Sequence, residues 1–156
     1  GKSHWAKMWG NEFNINVFDI DDEIERTENS TINEIFKTSG EDYFRKLERD
    51  TLRKSLNLEN CIVACGGGTP IYYNSLNWMK ENGMVVYLSA KPEFLLNNIL
   101  RETNSRPLLK GIKEKELLNF IDAKLYERKT FYESANMILN SEDLSLESFK
   151  KILDYA

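Results

Sequence analysis

The apolar positions of this chain form short continuous runs that alternate with stretches of helical spacing. Four runs predict buried strands, at residues 15–21, 61–65, 84–90 and 135–141. Apolar residues three and four apart predict helices at residues 3–11, 75–83, 91–103, 115–134 and 145–156, with three more inside 22–56. Buried strands that alternate with helices predict an α/β fold in three layers, α/β/α, around a central parallel sheet.

Glycine and serine positions predict where several of these elements begin and end. We expect the first helix to end near Gly10, and the 22–56 segment to break around residues 28–30 and 39–40. Ser145 is placed to cap the last helix. Residues 104–116 have no clean periodicity and are predicted to form a loop.

The composition is that of one compact domain with a substantial core. The 156 residues are 41% hydrophobic, and no apolar run approaches the ~20 residues that a membrane helix needs. A formal net charge of −4 argues against a general nucleic-acid binder, although it leaves room for local basic sites. Cys61 and Cys65 would lie roughly 13 Å apart along a strand, so we expect free thiols and a reducing, cytoplasmic setting.

Acidic residues and glycines follow two of the predicted strands, at the sheet edge where parallel sheets bind ligands. On a strand, Asp19 and Asp21 would point to the same side and hold a metal, its waters or a substrate hydroxyl. The alternative is that they cap the following helix. Gly66, Gly67 and Gly68 would let the backbone approach a ligand closely, with a flexible turn as the alternative.

The chain opens with Gly1, Lys2 and Ser3 at a predicted helix start. These are the last three residues of the phosphate-loop pattern G-x-x-x-x-G-K-[ST]. In that pattern, backbone N–H groups and the lysine bind phosphates, and the hydroxyl binds Mg²⁺. The alternative is a remnant of a cut chain ahead of an ordinary helix.

Three arginines are candidates for binding anionic groups. Arg45 lies on a predicted helix on which Glu48, three residues later, could orient it. Arg106 lies in an Arg-Pro-Leu-Leu loop that suits a lid over phosphate charge, and Arg128 suits bidentate carboxylate binding. Each also fits an ordinary surface or loop residue, and His4, the single histidine, is predicted to lie on a helix surface.

In sequence order, these stretches resemble the shikimate kinase family of small phosphate-loop kinases. The matching motifs are Gly-Lys-Ser at 1–3, Asp-x-Asp at 19–21, Phe-Arg-x-x-Glu at 44–48, three glycines at 66–68, Arg-Pro-Leu-Leu at 106–109 and Glu-Arg-x-x-x-Tyr at 127–132. The resemblance extends from residue 1 to about residue 140. It implies a nucleoside-monophosphate-kinase-like fold and ATP-dependent phosphorylation of the 3-hydroxyl of shikimate, in the pathway to aromatic amino acids.

The resemblance also implies roles for individual residues. Gly1, Lys2 and Ser3 would end the ATP phosphate loop, with Ser3 on Mg²⁺, and Asp19 would reach the metal through water. Asp21 would bind the reacting hydroxyl and take its proton. The shikimate carboxylate would be bound by Arg45 and Arg128. The pocket for shikimate would be lined by Gly66, Gly67 and Gly68, and the shikimate ring would contact Phe36 and Phe44. The ATP phosphates would contact Arg106, and the adenine would lie near Arg101.

As a whole, the resemblance implies one kinase domain over residues 1–156, with substrate-binding helices at about 22–56 and a lid at about 102–115. It implies a monomer that binds shikimate and ATP, and neither nucleic acid nor membrane. The family pattern includes a strand and a glycine-rich loop ahead of Gly1, so we expect the native chain to start earlier. It often has a basic residue by the adenine near 140–145, for which this chain offers no match.

Two other functions stay open at the level of sequence. One is a different small-molecule kinase of the same architecture, for which Arg45 and Arg128 would have no joint purpose unless its substrate carries a carboxylate. The other is a non-catalytic binding or regulatory module of the same fold.

Overall fold

A computed structural model describes residues 1–102 and 113–155. The described residues form two compact units, the first from 1–85 with 145–155 and the second from 86–102 with 113–144. The predicted lid, at about 102–115, lies almost entirely outside the described residues.

Helices and strands alternate along the chain, as the apolar pattern predicts. Their bounds, in chain order, are α1 Lys2–Phe13, β1 Asn16–Asp19, α2 Ile20–Glu28, α3 Ile32–Lys54, a 3₁₀ turn Ser55–Asn57, β2 Cys61–Ala64, α4 Ser75–Asn82, β3 Val86–Ser89, α5 Pro92–Glu102, α6 Glu114–Glu133, β4 Met137–Asn140 and α7 Leu146–Tyr155.

Each unit contains one pair of parallel strands. In the first unit β1 pairs with β2 in a register that joins Asn16 to Cys61 and Asp19 to Ala64. In the second unit β3 pairs with β4, from Val86 opposite Met137 onward. Because β1 and β2 are parallel and in register, the residues that follow Asp19 and Ala64 emerge at the same edge.

Local chemistry explains how α2 and α3 begin and where α3 bends. The Asp19 side chain caps α2, and Thr31 with Glu34 forms a capping box at the start of α3. Inside α3, Gly40 has φ 81° and ψ 173°, a conformation essentially reserved for glycine. The predicted breaks around residues 28–30 and 39–40 are therefore confirmed.

Apolar faces of α2 and α3 build the core of the first unit. Its buried members are Ile20, Ile24, Ile35, Phe44 and Leu52, with Phe18 and Val63 of the two strands packed against them. The second unit has a smaller cluster in which Leu96 of α5 meets Leu117 and Ile121 of α6.

Several predicted boundaries are wrong. Gly10 lies inside α1, and the helix continues to Phe13. The missing side chain of Gly10 makes room for Val17, so Gly10 is buried. The first strand ends at Asp19, where the cap starts α2, so Asp21 lies on a helix and not on a strand. The predicted 104–116 loop runs too far, since α6 already begins at Glu114.

Other predictions are confirmed within the described ranges. Cys61 and Cys65 are free thiols, and His4 is exposed on α1. The helix α7 starts directly after Ser145, while capping by the Ser145 side chain stays a prediction. At that start the Ser148 hydroxyl accepts a hydrogen bond from the Ser145 N–H at 3.1 Å. None of the described helices combines the length and the apolar character that crossing a bilayer requires.

We predict that Gly10→Ala destabilises the protein although alanine favours helices. The new Cβ would lie 2.9 Å from the Ile15 carbonyl oxygen and would clash with the Val17 side chain. Overpacking costs ~1–3 kcal/mol and helix propensity returns ~1 kcal/mol, so we expect a net loss of about 1 kcal/mol in urea unfolding. Gly83→Ala is the control, because its φ of 177° suits any residue and the nearest atom, the Met79 oxygen, is 4.0 Å away. Equal effects in the two variants would contradict this explanation.

Candidate active site

The first three residues form the start of α1. Gly1 is the N-cap, its carbonyl oxygen accepts the first helical hydrogen bond from the Trp5 N–H at 3.0 Å, and Lys2 and Ser3 lie in the first turn. The predicted helix start at Gly-Lys-Ser is therefore confirmed. Backbone N–H groups at a helix start, together with a lysine, favour the binding of phosphate.

Asp19 links the end of β1 to the start of α2. Its Oδ1 accepts hydrogen bonds from the backbone N–H groups of Asp21 at 3.0 Å and Asp22 at 3.4 Å. This is the capping role that the sequence left open beside metal binding. The two bonds use Oδ1 and leave Oδ2 outside the cap.

Asp21 is a carboxylate held in an unfavourable place for its charge. Its Oδ1 is buried and has no hydrogen-bond partner among the residues that the structure describes. Burial, and then the nearby charges of Asp19 and Glu48, raise the pKa of Asp21 to about 6, while Lys2 acts to lower it. Position in the first turn of a helix favours a carboxylate, but here burial outweighs that effect. Near neutral pH, Asp21 is therefore ionised but close to accepting a proton.

The glycine loop, Gly66–Gly68, follows β2 and passes close to charged side chains. A Cβ on Gly66 would lie 2.7 Å from Glu48 Oε1 and 3.6 Å from Asp21 Oδ1. A Cβ on Gly68 would overlap the guanidinium of Arg45, at 2.6 Å from its Cζ. Positions 66 and 68 therefore need glycine because α3 places Glu48 and Arg45 against them.

Arg45 and Glu48 form the centre of this network. The Nη1 of Arg45 donates to Glu48 Oε2 at 2.7 Å, which confirms that Glu48 orients Arg45 within one helix. The other oxygen of Glu48 accepts from the Thr69 hydroxyl at 2.6 Å, and the Glu48 side chain is only 3% exposed. On the opposite edge of Arg45, Nε and Nη2 both donate to Glu41 Oε1, at 3.0 and 2.9 Å. That same oxygen accepts from the Tyr72 hydroxyl at 3.1 Å.

Aromatic rings surround the guanidinium of Arg45. Its Cζ lies 4.6 Å from the ring centre of Tyr72, 5.2 Å from Phe44 and 5.8 Å from Phe36. Phe36 and Phe44 also contact each other, with ring centres 4.7 Å apart. The two phenylalanines singled out in the sequence are thus brought together beside Arg45.

The second unit holds two further candidates. Arg101 is exposed in the last turn of α5. Arg128 lies half-buried on α6, and its buried Nε has no hydrogen-bond partner within residues 1–102 and 113–155. Arg106 lies outside the described residues.

Sequence reasoning missed three members of the Arg45 network: Glu41, Thr69 and Tyr72. Glu41 precedes Arg45 by four residues, and this helical spacing was a usable signal. Thr69 and Tyr72 come shortly after the glycine loop, but nothing in their spacing indicates contact with α3.

The residues at this edge of the sheet fit Mg²⁺ only if phosphate and water supply the other ligands. Within the described residues, no group of three or more His, Cys, Asp or Glu side chains could hold a metal ion. Mg²⁺ commonly takes one or two carboxylates and completes its shell with phosphate and water. Asp19, with the Ser3 hydroxyl, matches that smaller set in donor chemistry.

Comparisons with known proteins converge on one family. A family model described as "Shikimate kinase" matches residues 1–156. The shikimate kinase of Bacteroides thetaiotaomicron is 33% identical over 144 residues, covering 92% of this chain and 82% of the relative. That of Sulfurihydrogenibium sp. is 38% identical over 142 residues, covering 91% and 82%.

Solved structures agree with the sequence matches. The crystal structure of shikimate kinase from Bacteroides thetaiotaomicron has a TM-score of 0.92 at 30% identity, covering 99% of this chain and 92% of the other. Shikimate kinase from Acinetobacter baumannii in complex with shikimate has a TM-score of 0.81 at 29% identity, covering 99% and 86%. The predicted three-layer α/β/α class of the phosphate-loop, nucleoside-monophosphate-kinase-like type is therefore confirmed.

We predict that Asp21→Asn stabilises the protein at pH 8 but not at pH 4. Folding raises the pKa of Asp21 from 3.8 to about 6, so its contribution to stability is complete below pH 3.8 and is lost as pH rises through 6. The neutral amide avoids this loss. We expect a gain of ~1–2 kcal/mol in urea unfolding at pH 8, after allowance for solvent screening of a partly exposed group.

Asp22→Asn is the control for this stability measurement, because Asp22 lies next in the same helix turn but pairs with Lys7 in the open. It should give no pH-dependent gain. A gain for Asp21→Asn that is equal at pH 4 and pH 8 would show that packing, and not charge, is responsible.

Proposed function

This chain belongs to the shikimate kinase family, and on that premise we propose that it transfers the γ-phosphoryl group of ATP to the 3-hydroxyl of shikimate. One observation supports this reaction above the others. A partly buried carboxylate, Asp21, has a pKa of about 6 and lies within the electrostatic reach of Lys2, at the edge where the glycine loop begins. This edge can therefore hold a hydroxyl group and a phosphate next to each other.

At the phosphate end, Gly1, Lys2 and Ser3 bind ATP. The N–H groups of the first turn of α1 and the Lys2 ammonium offset the charge of the phosphates. Ser3 would hold Mg²⁺ directly and Asp19 would hold it through water. When bound, Mg²⁺ neutralises charge on the transferring group and aligns it.

At the hydroxyl end, Asp21 accepts a hydrogen bond from the 3-hydroxyl and takes its proton as the phosphoryl group arrives. A base with a pKa near the working pH is ionised before the reaction and can still bind the proton. Its Oδ1, which has no partner among the described residues, suits this role because a substrate hydroxyl can satisfy it.

At the carboxylate end, Arg45 binds shikimate, and the family resemblance implies the same contact for Arg128. The Glu48–Thr69 pair fixes the guanidinium of Arg45, which lowers the entropy cost of orienting the substrate. Gly66, Gly67 and Gly68 line the site without side chains that would fill it. Phe36 and Phe44 form the wall against the substrate ring.

The rest of the proposal follows from the family resemblance. Arg106 reaches the ATP phosphates from a lid at about 102–115, and Arg101 lies near the adenine. The chain works as a single kinase domain and a cytoplasmic monomer, with no nucleic acid or membrane partner. The net charge of −4 supports the exclusion of nucleic acid.

The proposal is tested by ADP release from Mg-ATP with and without shikimate. We expect release that depends on shikimate, and a KM for shikimate that rises ~10–100-fold in Arg45→Lys, since lysine keeps the charge but loses the planar fork. The KM for ATP should not change. Arg49→Lys is the control, because Arg49 lies one turn later on α3, bound to Asp50 and against Tyr73.

Two results would contradict the proposal. ADP release from a folded protein that is the same with and without shikimate would exclude this substrate. A KM for shikimate that rises equally in the Arg45 and Arg49 variants would exclude a specific role for Arg45.

We also predict the pH dependence of the reaction. If Asp21 is the base, kcat/KM for shikimate falls about tenfold per pH unit below the pKa of about 6, because the protonated carboxyl cannot accept a proton. Asp21→Asn should lower kcat ~10²–10⁴-fold and remove this fall. A variant that keeps the wild-type pH profile would assign the profile to another group.

A further inference from the structure

One edge of the Arg45 guanidinium is already bound to a carboxylate of the protein itself. The Nε and Nη2 groups, which form the fork that arginine uses for carboxylate ligands, donate to Glu41 Oε1 at 3.0 and 2.9 Å. The Tyr72 hydroxyl donates to the same oxygen at 3.1 Å. A ligand carboxylate can therefore bind this edge only by displacing Glu41.

The two glutamates that bind Arg45 differ in how firmly they are held. The Glu48 side chain is 3% exposed and is fixed from its far side by Thr69. The Glu41 side chain is 51% exposed and directly follows the kink at Gly40. Moving Glu48 would leave a buried charge unpaired, whereas a displaced Glu41 would keep its charge in water.

We propose that Glu41 is a specificity-determining residue that occupies the carboxylate subsite when the substrate is absent and is displaced by the substrate carboxylate. This inference rests on the proposed function, because it takes Arg45 as the group that binds shikimate. Glu41 acts as an internal competitor. It lowers the affinity for every ligand, but most for ligands without a carboxylate, which cannot replace the ion pair that they break.

The competitor role has a consequence for the empty site. Without Glu41, the Nε and Nη2 edge of the Arg45 guanidinium would lose its acceptor and would attract small anions from solution, including phosphate. With Glu41 in place, this edge is occupied and such anions must also compete. A purely supporting role for Glu41, in which it holds Arg45 ready for the substrate, predicts the opposite sign: its loss would weaken shikimate binding.

Titration calorimetry of shikimate into the wild-type protein, Glu41→Gln and Asp50→Asn separates these two roles. Exposed ion pairs contribute up to ~1 kcal/mol, so we expect the Kd for shikimate to fall about two- to fivefold in Glu41→Gln. The Kd for inorganic phosphate, the small-anion probe, should fall as well. The methyl ester of shikimate, which has no carboxylate charge, should gain more than the acid, because Glu41 disfavours it most.

Asp50→Asn is a matched control. Asp50 lies on the same helix, is 55% exposed and also binds an arginine, Arg49 at 2.7 Å. It removes the same charge without touching the Arg45 fork, so its Kd for shikimate should stay at the wild-type value. A second variant, Tyr72→Phe, removes the hydroxyl that holds Glu41 and should shift the Kd in the same direction by a smaller factor.

The outcomes separate failure of the inference from failure of the proposed function. If wild-type protein neither binds shikimate nor releases ADP in its presence, the proposed function fails first. If the wild type binds shikimate and Glu41→Gln binds it equally or more weakly, with an unchanged melting temperature, the competitor role is wrong. A tighter Kd in both Glu41→Gln and Asp50→Asn would assign the effect to net charge and would also overturn it.

Discussion

The site depends on the burial of one carboxylate, Glu48 of α3, against the segment that follows β2. An unpaired charge in this position would cost several kcal/mol, and the protein avoids the cost by giving one oxygen to Arg45 and the other to Thr69. This arrangement fixes the guanidinium, ties the helix to the glycine loop and excludes a Cβ at residue 66. It also adds negative charge near Asp21. The candidate site is thus organised around a group that we do not propose to react.

Stability and reactivity oppose each other at Asp21. Capping by Asp19 and the first turn of α2 suit an acid, but burial and three neighbouring carboxylates make its charged form unfavourable. A sequence optimised for stability alone would place an uncharged residue there. The retained acid is therefore a specific indication of chemistry, and it is stronger evidence than the presence of the Asp-x-Asp motif.

Local rules predicted the parts of the structure that depend on near neighbours in the chain. The breaks in the 22–56 segment and the Glu48–Arg45 pair follow from turn residues and from helical spacing. Gly10 was misread as a helix end because its role is to accommodate Val17, a contact that no local pattern records. Thr69 and Tyr72 reach α3 across more than twenty residues, so only the folded chain brings them to Glu48 and Glu41. The resemblance named the family correctly, and its residue roles stay proposals.

The kink at Gly40 does more than divide a long helix. Phe36 and Phe44 are eight residues apart, roughly 12 Å along a straight helix, yet their ring centres lie 4.7 Å apart. The distance between the Phe36 and Phe44 rings therefore depends on a main-chain conformation at Gly40 that only glycine adopts easily. Evolution can exchange the rings one at a time, but a change at Gly40 alters the spacing of both at once. Gly40, which has no side chain, thus limits which pairs of aromatic residues can replace Phe36 and Phe44.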